Sequence, residues 1–198
     1  MKPMVTSKPH IIIMVGIPGS GKTFFADQFA STFNAPTVSI DKIRNIIFEK
    51  PNYGRSEEAI VNKTALCLLG EILKSGRTIV FDGSTGSRSE RDFIAKTSRT
   101  AGYEPLFVWL QTEIPTAKSR TLKQKTDKPT RMSEDQFNNR VSRFTNPTYT
   151  EKFVVISGKH AHSSQLRIVL KRLVDTMPQT NQPTVPSRTP GNRNYLIR

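Results

Sequence analysis

HIIIMVGIPGSGKT, residues 10–23, decides the fold of this chain. Its first six residues form a continuous apolar run rich in β-branched side chains, which is typical of a strand buried on both faces of a parallel sheet. The next eight residues match the pattern G-x-x-x-x-G-K-[ST] in full, and a helix is predicted from Lys22 to Phe33. We therefore predict a strand, a glycine-rich turn and a helix in direct succession.

The glycine-rich turn, residues 16–23, has the chemistry of a phosphate site, and we call it the phosphate loop. Its glycines let the backbone curl so that consecutive N–H groups point at one anion, and the helix that follows adds the positive end of its dipole. We expect the lysine to reach the β- and γ-phosphates of ATP and the threonine hydroxyl to bind Mg²⁺. A plain glycine turn is the alternative. The residues predicted to bind ATP are Gly16, Ile17, Pro18, Gly19, Ser20, Gly21, Lys22 and Thr23.

Strands and helices alternate along the rest of the chain. Further strands are predicted at 37–40, 78–81, 106–110 and 153–156, and further helices at 42–48, 56–74, 87–100, 133–144 and 164–174. This alternation predicts an α/β fold in which helices cover both faces of a parallel sheet, a three-layer α/β/α sandwich. We expect one domain over residues 1–175 and a disordered basic tail over residues 176–198, which contain prolines and arginines but no acid.

Composition limits the location and the partners. The longest apolar run, 11–15, is too short to cross a membrane, and the single cysteine excludes an intrachain disulfide, so a cytoplasmic location is the default expectation. The formal net charge of +14 exceeds what one nucleotide requires and favours a polyanionic partner such as nucleic acid. Solubility combined with a basic tail explains the same charge.

Two acids are predicted at the carboxyl ends of strands, where ligands of parallel sheets gather. We expect Asp82 to orient Mg²⁺; capping of the next turn is its structural alternative. Asp41 is a candidate general base that accepts the proton of an attacking hydroxyl. Arg44 lies three residues later and is a candidate ligand for an anionic group of the acceptor. A surface salt bridge between Asp41 and Arg44 is the structural alternative to these two roles.

A basic stretch at residues 116–132, which we call the lid, is predicted to close over the triphosphate. It contains six basic residues and one acid between residues 118 and 131. Arg120 and Arg131 are the predicted catalytic arginines, because a guanidinium group suits phosphate oxygens. A solvated charged surface is the alternative interpretation.

The surrounding residues favour a kinase among nucleotide-binding classes. A motor usually carries a second acid beside its strand-end aspartate, but the residue after Asp82 is Gly83. The Asn/Thr-Lys-x-Asp guanine-binding pattern of GTPases is not matched either. A small kinase needs an acceptor pocket, a base and a basic lid, and this sequence has candidates for all three.

These motifs together resemble the kinase domain of polynucleotide 5′-kinase and its small P-loop kinase relatives, which include zeta-type toxins. The resemblance covers residues 10–175 and implies sheet order 2-3-1-4-5 and ATP-dependent phosphorylation of a hydroxyl. It implies Asp41 as general base, Arg120 as a lid arginine on the ATP phosphates, and acceptor contacts by Arg44, Arg88 and Arg91. The matching segments are the phosphate loop, Asp41-x-x-Arg44, Val80–Thr85 with the two arginines after it, the lid, and Phe144-x-x-Pro147 followed by Glu151.

Two departures concern the acceptor more than ATP. Relatives often have Thr-Asn shortly after the strand-end aspartate, where this chain has Gly83-Ser84-Thr85. Relatives often place a second lid arginine about four residues after the first, but Gln124 and Lys125 stand there. Three hypotheses follow: a polynucleotide 5′-hydroxyl kinase is favoured, a small-molecule kinase acting on a nucleoside, sugar nucleotide or antibiotic is second, and a non-enzymatic ATP-dependent RNA-binding module is third.

Overall fold

The computed structural model describes residues 8–123 and 132–175. The strands are β1 (His10–Val15), β2 (Thr37–Ser39), β3 (Ile79–Asp82), β4 (Glu104–Gln111) and β5 (Phe153–Ser157). The helices are α1 (Lys22–Phe33), α2 (Ile40–Ile47), α3 (Arg55–Leu73), α4 (Arg88–Thr100), α5 (Ile114–Lys123), α6 (Glu134–Ser142) and α7 (His162–Asp175).

The strands form one parallel sheet in the order β2-β3-β1-β4-β5. This order confirms the predicted fold, a P-loop sheet of order 2-3-1-4-5 with helices around it. Strand β1 lies at the centre, where Ile12 pairs with Val80 of β3 on one side and with Leu106 of β4 on the other. Because all strands run in one direction, their carboxyl ends meet at a single edge, and the phosphate loop leaves the middle of that edge.

Each face of the sheet is covered by its own hydrophobic core. Ile11, Ile13 and Val15 of β1 pack into the core beneath α3 and α4. Ile12 and Met14 alternate with them and pack into the core beneath α1 and α7. All six residues of β1 are therefore buried, which is why the sequence of this strand is continuously apolar instead of alternating.

Some predicted boundaries shift. The helix predicted from residue 42 begins at Ile40, so Asp41 lies in the first turn of α2 and not at the end of β2; a carboxylate is favourable there because it faces the positive end of the helix dipole. Strand β4 begins two residues early, since Glu104 already pairs with His10. Lid residues 124–131 and tail residues 176–198 lie outside the described part. No helix of the described part is long and apolar enough to cross a membrane.

Candidate active site

The phosphate loop joins β1 to α1 and is held in shape by close contacts as well as by its glycines. Gly16 and Gly19 have φ angles of 148° and 74°, which L side chains rarely adopt. A Cβ atom on Gly19 would lie 2.2 Å from the carbonyl oxygen of Ala117 in α5, and one on Gly16 would lie 2.7 Å from the carbonyl oxygen of Leu110. The loop is thus packed directly against the backbones of α5 and β4.

Lys22 is positioned to meet an anion in the loop. Its Nζ donates hydrogen bonds to the carbonyl oxygens of Gly16 and Ile17 at 2.8 and 2.9 Å. Desolvation lowers the pKa of Lys22, while the carboxylates of Asp82 and Asp41 counteract part of that shift. The ammonium group therefore lies in a poorly solvated place where phosphate oxygens could replace the carbonyl partners.

Thr23 and Asp82 are the two candidate metal ligands beside the phosphate loop. The Thr23 hydroxyl donates a 2.6 Å hydrogen bond to Oδ2 of Asp82, which is buried at the end of β3. Burial raises the pKa of Asp82, and Lys22 and the Thr23 hydroxyl oppose the shift. A hydroxyl and a carboxylate beside a phosphate loop are oxygen ligands of the kind Mg²⁺ uses. The described residues contain no group of three or more His, Cys, Asp or Glu that could hold a metal, so such an ion would depend on phosphate oxygens and water as well.

Asp41 belongs to the same electrostatic group. Ser39 at the end of β2 pairs with Asp82 of β3, so Asp41, two residues later, lies at the same edge of the sheet. Its negative charge counteracts the desolvation that lowers the pKa of Lys22, and it adds to the rise in the pKa values of Asp82 and Tyr53 that burial causes. The sequence-predicted base, lysine and metal-site aspartate are therefore brought together at the carboxyl edge of the sheet. An acceptor hydroxyl between Asp41 and the loop would face both a proton acceptor and the terminal phosphate.

Arg44 is buried beside this group instead of exposed to solvent. It is 1% exposed, its Nη1 donates to Oε1 of Glu57 at 2.5 Å, and its guanidinium lies 4.7 Å from the ring centroid of Tyr53. Burial alone would raise the pKa of Glu57, but hydrogen bonds from the Asn52 amide, Arg44 and the Tyr53 amide hold it below its ordinary value. The Nε and Nη2 donors of Arg44 are buried and have no hydrogen-bond partner among the described residues.

Arg140 of α6 completes the cationic side of the site and was not predicted. It lies 5.9 Å from the ring centroid of Tyr53, donates to Glu58 at 3.1 Å, and lowers the pKa of Lys22. Sequence reasoning missed it because it lies outside the predicted lid, and its ion-pair partner is 82 residues away. The signal that could have found it is its place near the end of the short helix that follows the lid.

Arg91 was predicted to contact the acceptor, and its environment argues against that role. The side chain is fully buried, and its Nε and Nη2 donate to the two carboxylate oxygens of Glu151 at 2.6 and 3.2 Å. Its Nη1 donates to the carbonyl oxygens of Thr85 and Thr145 at 3.1 and 2.9 Å. All of its donor groups are therefore used within the protein. They attach the segment that ends at Glu151 to α4.

The remaining predicted arginines lie apart from this group. Arg88 is exposed on α4 and approaches Asp92 at 3.6 Å. Both Nη groups of Arg120 donate to the carbonyl oxygen of Gly158 at 3.2 Å, on the side of the phosphate loop where β5 ends. Arg131 lies outside the described residues.

Comparisons with known proteins identify the family of the chain. A family model described as an AAA domain matches residues 11–147. The 6-phosphofructo-2-kinase/fructose-2,6-bisphosphatase 1 of Rattus norvegicus is 27% identical over 124 residues, which are 54% of this chain and 26% of that protein. The chain thus spans about a quarter of the length of the curated relatives it matches.

Solved structures share the fold over nearly their whole length. A gluconokinase from Sinorhizobium meliloti 1021 is 19% identical, with a TM-score of 0.63 over 86% of this chain and 94% of that chain. The APS kinase of Mycobacterium tuberculosis, solved in complex with AMPPNP and APS, is 12% identical, with a TM-score of 0.61 over 85% of this chain and 99% of that chain. At these identities the likeness establishes the fold.

Proposed function

The chain belongs to the AAA domain family, and on that premise we propose that it is an ATP-dependent kinase that phosphorylates a hydroxyl group of a small organic acceptor. The observation that carries the proposal is the placement of the phosphate loop with Lys22, of Asp82 bonded to Thr23, and of Asp41 just after the β2 residue that pairs with Asp82, all at one edge of the sheet. A lysine in a phosphate loop, an aspartate bonded to the loop threonine and a second aspartate beside them supply the three functions that phosphoryl transfer needs.

The phosphate loop would bind the triphosphate of ATP through its backbone N–H groups, and Lys22 would neutralise the terminal phosphate. Thr23 and Asp82 would hold Mg²⁺, which when bound would offset phosphate charge. Asp41 would accept the proton of the attacking hydroxyl. Arg120 would contribute from the ATP side, and Arg131 is retained as a candidate on sequence grounds alone.

The acceptor would bind against the face formed by α2, α3 and α6. Arg140 is 28% exposed and available to an anionic or hydroxyl-rich group, and Arg44 and Arg140 both lie over the ring of Tyr53. Arg44 is buried and is retained as an acceptor ligand on sequence grounds. Glu57 and Glu58 offset part of the positive charge of the two arginines. A compact acceptor with one or two polar groups suits this arrangement better than a long polyanion does.

Two kinds of support favour a small acceptor over the polynucleotide that the sequence analysis placed first. First, the curated relative and the two fold neighbours are kinases whose names refer to small molecules. Second, none of these three supports the resemblance to polynucleotide 5′-kinase. The net charge of +14 still favours a polynucleotide 5′-hydroxyl as the second candidate.

The test is transfer of label from γ-labelled ATP with Mg²⁺ to a panel of sugars, sugar acids, nucleosides and 5′-hydroxyl DNA or RNA oligomers. We expect transfer of the label to a small acceptor, at a rate that depends only weakly on the salt concentration. Lys22→Ala should abolish transfer, whereas Asp41→Asn should lower kcat about 10²- to 10⁴-fold while ATP binding persists. RNA affinity without turnover would instead indicate the non-enzymatic binding module. Full activity of Lys22→Ala would contradict the site.

A further inference from the structure

A cleft of about 600 Å³ lies beside the phosphate loop, and none of the catalytic assignments above uses it. Its volume falls within the range of small-molecule sites, about 300–1,000 Å³. Ile17 of the phosphate loop forms one wall, so a molecule in the cleft would lie next to the bound phosphates. The other apolar wall residues come from β4, α5 and the end of α6, and include Trp109, Ile114, Val141 and Phe144.

Two walls of the cleft are held in place by contacts with other side chains of the protein. The ring of Trp109 packs edge-to-face against Phe153 with centroids 5.9 Å apart. Buried Arg91 donates to the carbonyl oxygens of Thr145 and Asn146, at 2.9 and 3.4 Å, in the segment directly after Phe144. Arg91 thereby fixes the segment that forms this side of the cleft.

The polar groups of the cleft suit a neutral ligand. Glu113 and Lys159 also line it, but they pair with each other at 2.9 Å, and no other charged side chain lines it among the residues that the structure describes. Gln111 and Asn146 offer amide groups, each of which can donate and accept hydrogen bonds. A phosphate or sugar acid would find no unpaired cation here.

Aromatic rings beside amide side chains are the combination with which proteins bind unstacked bases. We propose that this cleft receives the nucleobase of the acceptor, so that the ribose hydroxyl of a nucleoside, or of the terminal nucleotide of a strand, is directed toward the phosphate loop beside Ile17. This inference rests on the proposed kinase activity and narrows its acceptor to compounds that carry a base.

Trp109 is the single tryptophan of the chain, so its fluorescence reports on the cleft without reference to catalysis. The intact protein with ADP and Mg²⁺ would be titrated with adenosine, guanosine, cytidine and thymidine, and with gluconate as an acceptor without a base. Excitation at the red edge of the tryptophan band avoids absorption by the nucleosides. We expect at least one nucleoside to change the emission saturably, whereas gluconate does not.

Two variants test the walls. Phe144→Ala should weaken nucleoside binding by about 5- to 150-fold, the loss expected for one stacking partner, whereas Phe93→Ala, which removes an exposed ring from α4, should leave it unchanged. Because Phe144 is partly buried and its replacement could unfold the chain, Ile114→Glu provides a second variant at a side chain that is 51% exposed. Its control is Ile168→Glu, at a 40% exposed position of α7.

The outcomes separate this inference from the kinase proposal. Saturable nucleoside binding that Phe144→Ala or Ile114→Glu weakens, together with phosphorylation of that nucleoside, supports the cleft assignment. Competition by a 5′-hydroxyl oligonucleotide would show that a strand end is the source of the base, and its absence would indicate a free nucleoside. If label passes to gluconate while no nucleoside affects Trp109, the kinase proposal stands and the cleft assignment is overturned.

Lys22→Ala keeps the two questions apart, since it removes phosphoryl transfer but leaves the cleft intact. Nucleoside-dependent emission in this variant supports the base site independently of activity. Binding of a nucleoside that the wild-type protein never phosphorylates would overturn the acceptor assignment.

Discussion

Replacing Arg91 with methionine tests whether this residue stabilises the fold or contacts the acceptor. Methionine removes the charge and leaves the Glu151 carboxylate buried, with the Thr148 amide as a remaining hydrogen-bond donor. Breaking a buried ion pair from one side costs about 3–5 kcal/mol, because the remaining charge loses its compensation. For a domain of this size each kcal/mol lowers Tm by about 2–4 °C, so we expect a loss of roughly 6–20 °C.

Thermal and urea unfolding followed by circular dichroism measure this loss. Arg88→Met is the matched control, since Arg88 is exposed and its ion pair with Asp92 is worth about 0.3–0.5 kcal/mol. A double variant, Arg91→Met with Glu151→Leu, should recover part of the stability because both charges are gone. If Arg91→Met is as stable as Arg88→Met and instead raises the acceptor KM, Arg91 is an acceptor ligand and the argument from burial is wrong.

Three further expectations follow from the site and its supports. In steady-state kinetics, Arg140→Ala should raise the KM for the acceptor about 10- to 100-fold and leave the affinity for ATP unchanged. The control Arg143→Ala, at the exposed end of α6, should leave the KM for the acceptor unchanged. Equal effects of the two substitutions would exclude a specific acceptor contact by Arg140. Gly19→Ala should lower both Tm and ATP affinity because its methyl group meets the α5 backbone, while Gly70→Ala, which meets nothing within 4 Å, should stabilise α3 by about 1 kcal/mol. Burial alone would raise the pKa of Glu151, but hydrogen bonds from Arg91 and the Thr148 amide hold it below its ordinary value of about 4.3. The stabilisation by Glu151 is therefore complete above that pH and is lost as the pH falls through the folded-state pKa, so urea titrations should show a flatter acid limb for Glu151→Gln; an unchanged limb would contradict this.

The sequence predicted the centre of the fold well, because local patterns specify it. The apolar run of β1 and the Gly-Lys start of α1 give both elements their observed bounds. Ser133 was expected to begin a helix, and it does so as the N-cap of a capping box with Gln136. Local hydrogen bonds and periodicity were sufficient for these elements.

Side-chain burial could not be predicted in the same way. The sequence shows that Arg44 and Arg91 are charged, but their buried partners lie 13 and 60 residues away. Only the tertiary structure shows that Glu151 forms a buried ion pair with Arg91. Asp41 was assigned to a strand end because α2 begins after Ser39 without a side-chain capping bond, so the local sequence does not mark the start of the helix.

The contact between the phosphate loop and α5 restricts which substitutions the loop tolerates. At Gly19 the positive φ angle disfavours any L side chain, and the carbonyl oxygen of Ala117 occupies the space that a Cβ atom would need. Both the loop backbone and α5 would have to shift before another residue could be accommodated. Gly21 has a positive φ as well, but its nearest neighbour would be an ordinary 3.6 Å contact with Leu110. A substitution at residue 19 should therefore meet a steric obstacle that one at residue 21 does not, in addition to the positive φ angle that both glycines share.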